Sequence, residues 1–220
     1  MAPHPQRILL LCNGEPPSKA LARALSRQAD QVYAADGGAN TARVLGVRPD
    51  VIVGDLDSIT SATRRYFSSA RVVHVARQDN TDLEKALDEI AGQGRSDVMI
   101  LGATGNRLDF TLANLAVLWK YIHALTITVR GDGWRALPVR GRAEIVAARG
   151  TTVSLIPFGI CRGITLAGMK YPLRDGTMNV GEVGVSNVVA GSPCTVRVRE
   201  GHMLVVLFRD DRRGGARIRW

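Results

Sequence analysis

Five short apolar runs, each breaking off into glycine, aspartate or both, constrain this chain more than any other feature of its sequence. Ile8 to Cys12 ends in Asn13-Gly14, Val32 to Ala35 in Asp36-Gly37-Gly38, and Val51 to Val53 in Gly54-Asp55-Leu56-Asp57. Val72 to Val75 leads to Gln78-Asp79, and Val98 to Leu101 ends in Gly102 to Gly105. Ile8 to Cys12, a continuous apolar run, fits a strand buried on both faces, and the others read as short strands beside it. Segments with helical spacing lie between them. Ser18 caps a helix carrying Leu21, Ala22, Ala24 and Leu25, and a second helix through Ala42, Val44 and Leu45 is closed by Gly46. Ser58 or Thr60 starts the next. Thr81-Asp82-Leu83-Glu84 has capping-box spacing, with Leu83, Ala86, Leu87 and Ile90 following at i, i+3, i+4 and i+7. A long helix is expected to turn Leu112, Leu115, Leu118, Trp119 and Ile122 inward, and Thr126 to Arg130 supplies a sixth strand. Strands alternating with helices across short loops predict an α/β domain: a six-stranded, mostly parallel, Rossmann-like sheet with helices on both faces. Ligands bind at the carboxyl ends of such strands, which is where the glycines and aspartates fall.

The pattern changes near Gly131-Asp132-Gly133. Beyond it helical periodicity stops, and Ala143 to Ala147, Thr151 to Pro157, Thr195 to Arg199 and Met203 to Phe208 alternate or are rich in β-branched residues. This predicts a small all-β sandwich over 132–220 after an α/β nucleotide-binding domain over 1–131. The Arg/Gly tail from Arg209 to Arg219 reads as solvated or partly disordered.

Composition narrows the function. At 220 residues with mean hydropathy +0.01, no stretch reaches the roughly 20 apolar residues of a membrane span. The apolar run at the N-terminus is too short for a secretory signal, and the expectation is a cytoplasmic protein. Cys12, Cys161 and Cys194 are too few and too scattered for a disulfide framework or a zinc site. A formal charge of +9 would suit nucleic acid, but arginine is spread along the chain and no nucleic-acid motif accompanies it. Attraction of a polyphosphate accounts for the charge, with no nucleic-acid partner and no membrane.

Asp55 and Asp57, one residue apart in extended chain, project to one side roughly 7 Å apart and can lean onto one hard cation. An acidic turn with Ser58 as a helix cap is the competing reading. Asp82, in a first helical turn, adds a third oxygen ligand of the kind Mg²⁺ takes together with substrate phosphates. Arg107 can grip phosphate as a fork, or pair locally with Asp109. Asn114 lies seven residues on, on nearly the same helical stripe. There is no P-loop motif, no Gly-x-Gly-x-x-Gly after the first strand, no Gly-x-Ser-x-Gly, and no metal-type spacing among the histidines.

Four motifs in order carry a resemblance: Ala35-Asp36-Gly37-Gly38-Ala39-Asn40; Pro49-Asp50 leading to Gly54-Asp55-Leu56-Asp57-Ser58; Asp79 to Leu87; and Gly102 to Asp109 with Ala113-Asn114. Together with Ser186-Asn187 and Gly201 to Val206, they resemble the thiamine pyrophosphokinase family over nearly the whole chain. The resemblance implies transfer of a diphosphoryl group from ATP to the hydroxyl of thiamine, giving thiamine diphosphate and AMP, in a homodimer with active sites at the subunit interface. It implies Mg²⁺ on Asp55, Asp57 and Asp82, the catalytic carboxylates. It also places the nucleotide among Asp36, Gly37, Asn40, Arg107, Asp109 and Asn114, and thiamine against Gln78, Thr81, Ser186 and Asn187, and it makes the second domain a thiamine-binding, dimerising one. Two positions depart from the family: Phe110 stands where many relatives have His, and Val185 to Gly191 lacks the aromatic that some relatives stack on thiamine. The residues themselves leave open another hydroxymethyl heterocycle as acceptor, such as a pterin, and a non-catalytic nucleotide- or thiamine-binding regulator.

Overall fold

A computed structural model describes residues 5–182, 184–208 and 217–219. The chain forms two compact units, residues 1–132 and 133–220.

The first unit alternates strand and helix: β1 (Gln6–Leu11), α1 (Lys19–Ser26), β2 (Gln31–Ala35), α2 (Gly38–Leu45), β3 (Val51–Gly54), α3 (Ser61–Tyr66), β4 (Arg71–His74), α4 (Asp82–Ala91), β5 (Ser96–Leu101), α5 (Leu108–Val117) and β6 (Leu125–Gly131). The sheet order is β4-β3-β2-β1-β5-β6, and every pairing is parallel. From β1 the chain builds outward to β4 and then returns to β1's other side as β5. The carboxyl ends of β1 and β5 therefore flank the point where such sheets open a crevice.

Side-chain alternation covers both faces. Leu9, Leu11 and Val32 share an apolar cluster with Ala22 and Leu25 of α1 and Ala39, Ala42 and Leu45 of α2. The alternate residues Leu10 and Tyr33 are as deeply buried and point the other way, where the Tyr33 hydroxyl accepts a 2.7 Å bond from Gln93, just past α4. Each fully buried Leu or Ile in β1 contributes roughly 1.5–3 kcal/mol over an exposed one. The expected caps form: the hydroxyls of Ser18 and Thr81 accept from Leu21 and Glu84 N–H, and Gly46 closes α2 at φ 70°. Of the two candidates for the third helix, Thr60 is the cap.

One helix departs from expectation. Leu112 is exposed rather than inward, α5 stops at Val117, and Leu118–Lys120 continues as a single 3₁₀ turn. Apolar residues surround α5 on all sides, so spacing alone does not choose its buried stripe. The buried stripe is Asn114, Val117 and Leu118.

The second unit comprises β7 (Trp134–Val146), β8 (Thr152–Pro157), β9 (Cys161–Ala167), β10 (Leu173–Met178), β11 (Asn187–Val188), β12 (Cys194–Phe208) and β13 (Arg217–Arg219). The two strands expected at Thr195 to Arg199 and Met203 to Phe208 are one, β12, with a register shift between Val198 and Met203. Its first half pairs with β9 and its second with β8, while β7 follows it along both halves. These strands close on one apolar core that includes Leu137, Ile145, Leu155, Val196 and Leu207. Of the tail expected to be solvated or partly disordered, 209–216 lie outside the described residues, and Arg217–Arg219 pairs with β7.

Candidate active site

At the heads of β1 and β5 lies a cavity of about 340 Å³ lined by residues from both strand ends, from α4 and from α5. Its floor is laced backbone: Gly14 N–H donates to Gly102 carbonyl at 2.7 Å and Glu15 N–H to Thr104 carbonyl at 2.8 Å. A Cβ on Gly14 would collide with both of those carbonyls, so close approach of the two loops requires glycine there. Cys12 forms part of the wall, and burial pushes its thiol up to about 12, which keeps it neutral and inert.

Beside the cavity stand the carboxylates. Asp36, at the end of β2, Asp55 and Asp57 each bring an oxygen within 4.8 Å of the others. Asp36 is fully buried, with left-handed backbone at φ 41°, an uncommon conformation for a residue other than glycine. Gly54 makes room for it, since a Cβ at 54 would sit 2.7 Å from that of Asp36. The Asp36 Oδ2 accepts from Ser58 N–H at 3.1 Å, while its buried Oδ1 has no partner. Burial, with the charge of neighbouring aspartates, raises its carboxyl to about 6.

Asp82, the first residue of α4, joins this group through a lysine. The Lys85 side chain is only 2% exposed, and its Nζ donates to Asp55 Oδ2 at 2.7 Å and to Asp82 Oδ1 at 3.0 Å. Burial alone would lower the Lys85 pKa, but the bonds to Asp55 and Asp82 outweigh it and the net shift is upward. The Lys85 bond is in turn the main reason that the Asp55 carboxyl lies below its ordinary range. Gln78 Nε2 donates to the same Asp55 oxygen at 3.0 Å. Four carboxylates against one ammonium leave the site strongly negative, and the unpartnered Asp36 oxygen is the kind of group a hard cation would satisfy.

Across the cavity α5 follows its N-cap Arg107, whose side chain makes no capping bond, whereas α1, α3 and α4 carry hydroxyl caps. Free N–H groups at a helix start favour an anion. Arg107 makes a two-pronged pair with Asp109 at 2.9 and 2.5 Å and lies 4.7 Å over the Phe110 ring, all three being exposed. That pair holds Asp109 down at about 2. Asn114 is 8% exposed, donates to Ala103 carbonyl at 2.9 Å and keeps its Oδ1 unpartnered.

Among the other residues singled out from the sequence, Thr81 lines the cavity as the α4 cap. Gly37 is the N-cap of α2 and packs under the Asn13 side chain. Asn40 spends its side chain on the loop before α3, donating to Ser58 carbonyl at 2.9 Å and accepting from Thr60 N–H at 3.1 Å. Ser186 and Asn187 belong to the second unit. Ser186 is exposed at φ 64° and its N–H donates to the Ser154 hydroxyl. The buried Asn187 amide clamps the Tyr171 backbone, donating to its carbonyl at 2.8 Å and accepting from its N–H at 3.0 Å.

Two residues escaped the sequence reading. Lys85 sits in full view inside the Asp79 to Leu87 motif, but nothing in the motif says that it is buried. Tyr171, with an exposed ring, is brought beside Ser186-Asn187 by the Asn187 clamp and by the bridge between Met169 and Val189. An aromatic preceding Pro172 in a β-rich segment was the available signal.

Comparison with known proteins gives a consistent result. The catalytic-domain model of thiamin pyrophosphokinase matches residues 22–129, and the model of that family's vitamin B1 binding domain matches 142–203. Thiamine pyrophosphokinase of Bacillus subtilis (strain 168) is 30% identical over 184 residues, covering 80% of this chain and 86% of that protein. Thiamine pyrophosphokinase 1 of Oryza sativa subsp. japonica is 31% identical over 173 residues, which are 72% of this chain and 65% of the rice protein. The crystal structure of the Bacillus subtilis enzyme superposes with a TM-score of 0.81 at 25% identity, covering 93% of this chain and all of that one.

Proposed function

Because the chain belongs to the thiamine pyrophosphokinase family, we infer that it transfers the diphosphoryl group of ATP to the hydroxyl of thiamine and releases AMP. The observation that carries this reading is the cavity at the heads of β1 and β5, with an acid cluster on one side and the uncapped, Arg107-headed α5 on the other. Phosphoryl transfer asks a protein mainly for positioning and charge stabilisation, and these two sides supply opposite halves of that task.

On this reading Asp55 and Asp57 hold Mg²⁺, with Asp82 alongside and Asp36 completing the compact group. The unpartnered Asp36 oxygen supports the fit. When bound, the metal supplies charge neutralisation at the phosphate oxygens. Arg107 leaves Asp109 to grip phosphate as a fork, the α5 N–H groups point at it, and Asn114 offers its free oxygen to the nucleotide. A carboxylate of the cluster accepts the thiamine hydroxyl proton as that oxygen bonds to the β-phosphorus. The bond from the β-phosphorus to the oxygen bridging it to the α-phosphorus breaks, and AMP keeps the electron pair.

In the second unit, Ser186 and the exposed Tyr171 ring beside Asn187 are read as the thiamine contacts, together with Gln78 and Thr81 of the first. Tyr171 provides the π face that a thiazolium cation favours. The domain roles, with 1–131 catalytic and 132–220 thiamine-binding and dimerising, the homodimer and the cytoplasmic location belong to the same proposal. No described helix is long and apolar enough to cross a membrane.

The test is AMP production from ATP by the purified protein, with thiamine and Mg²⁺ each added and omitted, beside a parallel series with a hydroxymethylpterin. AMP that depends on both thiamine and Mg²⁺ is expected. Folded protein that makes no AMP, or that prefers the pterin, overturns the assignment.

A further inference from the structure

A fully buried lysine between two carboxylates of a metal-type cluster calls for a reason beyond folding. Asp82 opens α4 and Lys85 lies one turn on, so the two share a helix side, and the lysine stem reaches back to Asp55 at the head of β3. Its ammonium and the Gln78 amide occupy one oxygen of Asp55. That leaves the cluster's remaining capacity in the other Asp55 oxygen, Asp57, and the unpartnered oxygen of Asp36. A resident positive charge in bonding contact with two candidate ligands opposes the arrival of a further cation in a partly buried site, where Coulomb interactions are screened less than in water. A polyphosphate arriving with the cation offsets that opposition.

We propose that Lys85 is a resident counter-cation: it weakens capture of a free divalent metal by the nucleotide-free cluster, so that metal enters together with the nucleotide. It also holds Asp55 and Asp82, which lie on different elements, in one arrangement, and is thus a positioning residue. The inference rests on reading the cluster as a metal site, as given under Proposed function.

The experiment measures Mn²⁺ binding by electron paramagnetic resonance, without nucleotide and with α,β-methylene-ATP, whose bond between the α- and β-phosphates resists cleavage. The proteins are wild type, Lys85→Gln, which keeps donors but no charge, Lys85→Arg, which keeps the charge, and Asp57→Asn as the site control. Thermal melts and kcat and KM for ATP are recorded alongside. Wild type should bind free Mn²⁺ weakly and at least about tenfold more tightly with the analogue. Lys85→Gln should bind free Mn²⁺ about tenfold more tightly than wild type, shrinking the nucleotide's enhancement, with kcat falling more than KM rises. Lys85→Arg should stay within about threefold of wild type in metal affinity.

Equal or weaker Mn²⁺ binding by Lys85→Gln overturns the inference while leaving the metal site standing. No Mn²⁺ uptake by wild type even with the analogue overturns the metal-site reading and this inference with it. If neither lysine variant melts cooperatively, Lys85 serves folding and the proposal fails.

Discussion

The two sides of the cavity handle charge in opposite ways. On the β3 and α4 side, Asp36 and Lys85 are buried, an Asp36 oxygen goes unpartnered, and glycine at 54 makes room for a left-handed Asp36. On the α5 side, Arg107 and Asp109 lie in solvent, paired with each other and free to exchange partners. Burial fixes geometry at an energetic cost that a bound cation relieves. Exposure costs little and leaves a side chain able to move. The contrast suits the proposed division, in which the fixed side holds a small ion with strict coordination and the movable side a flexible polyphosphate.

The sharpest way to break that contrast is Asp57→Asn, which should lower kcat/KM by about 10³-fold while leaving the metal-free melting temperature unchanged or higher. Steady-state AMP assays paired with calorimetry check it, and a loss under tenfold would move the chemistry away from the fixed side. Next comes Arg107→Ala, expected to reduce kcat/KM by about 30-fold, mainly through KM for ATP. Arg107→Lys should fall between, because an ammonium restores charge but not the fork.

A smaller effect follows from pH. The Asp36 carboxyl is raised to about 6, so its stabilising contribution, present below the ordinary aspartate range, is lost as pH climbs through 6. A metal that binds the ionised form reverses this loss. The rise in melting temperature on adding Mg²⁺ should therefore be larger at pH 8 than at pH 5, by about 3 °C or more, and an equal rise at both would remove Asp36 from the metal's surroundings. Smallest of all is Asp109→Asn. Its pair with Arg107 depresses the Asp109 carboxyl to about 2, so that contribution persists at neutral pH and fades only as pH falls toward 2. Because the pair is exposed, the melting temperature at pH 7 should shift by less than about 1 °C.

The same contrast explains what could be read from the chain itself. The parallel sheet was legible because its central strands are apolar runs and its caps are local signals: Ser18, Thr81 and Gly46 act through neighbours within four residues. The acid cluster was legible in part, since Asp55 and Asp57 announce themselves two residues apart. That Asp36 comes within reach of them depends on β2 lying beside β3, which is topology rather than spacing. Lys85, three residues after Asp82, carries no local sign of burial, and only packing shows it buried. On α5 and the turn after it, the expected burial holds at Leu118 and fails at Leu112, because apolar residues cover most of that helix and give no phase. Tyr171 meets Asn187 across a gap of sixteen residues because the Asn187 side-chain amide bonds the Tyr171 backbone, a pairing that no local spacing encodes.

The length of β12 has a mechanical meaning. Cys194–Phe208 is shared by the β9 side and the β8 side of the second unit, with β7 running along both halves. Neither half can open without tearing the strand that completes the other. Such a unit should unfold in one step, with amide hydrogens of 194–198 and 203–208 exchanging at a common slow rate.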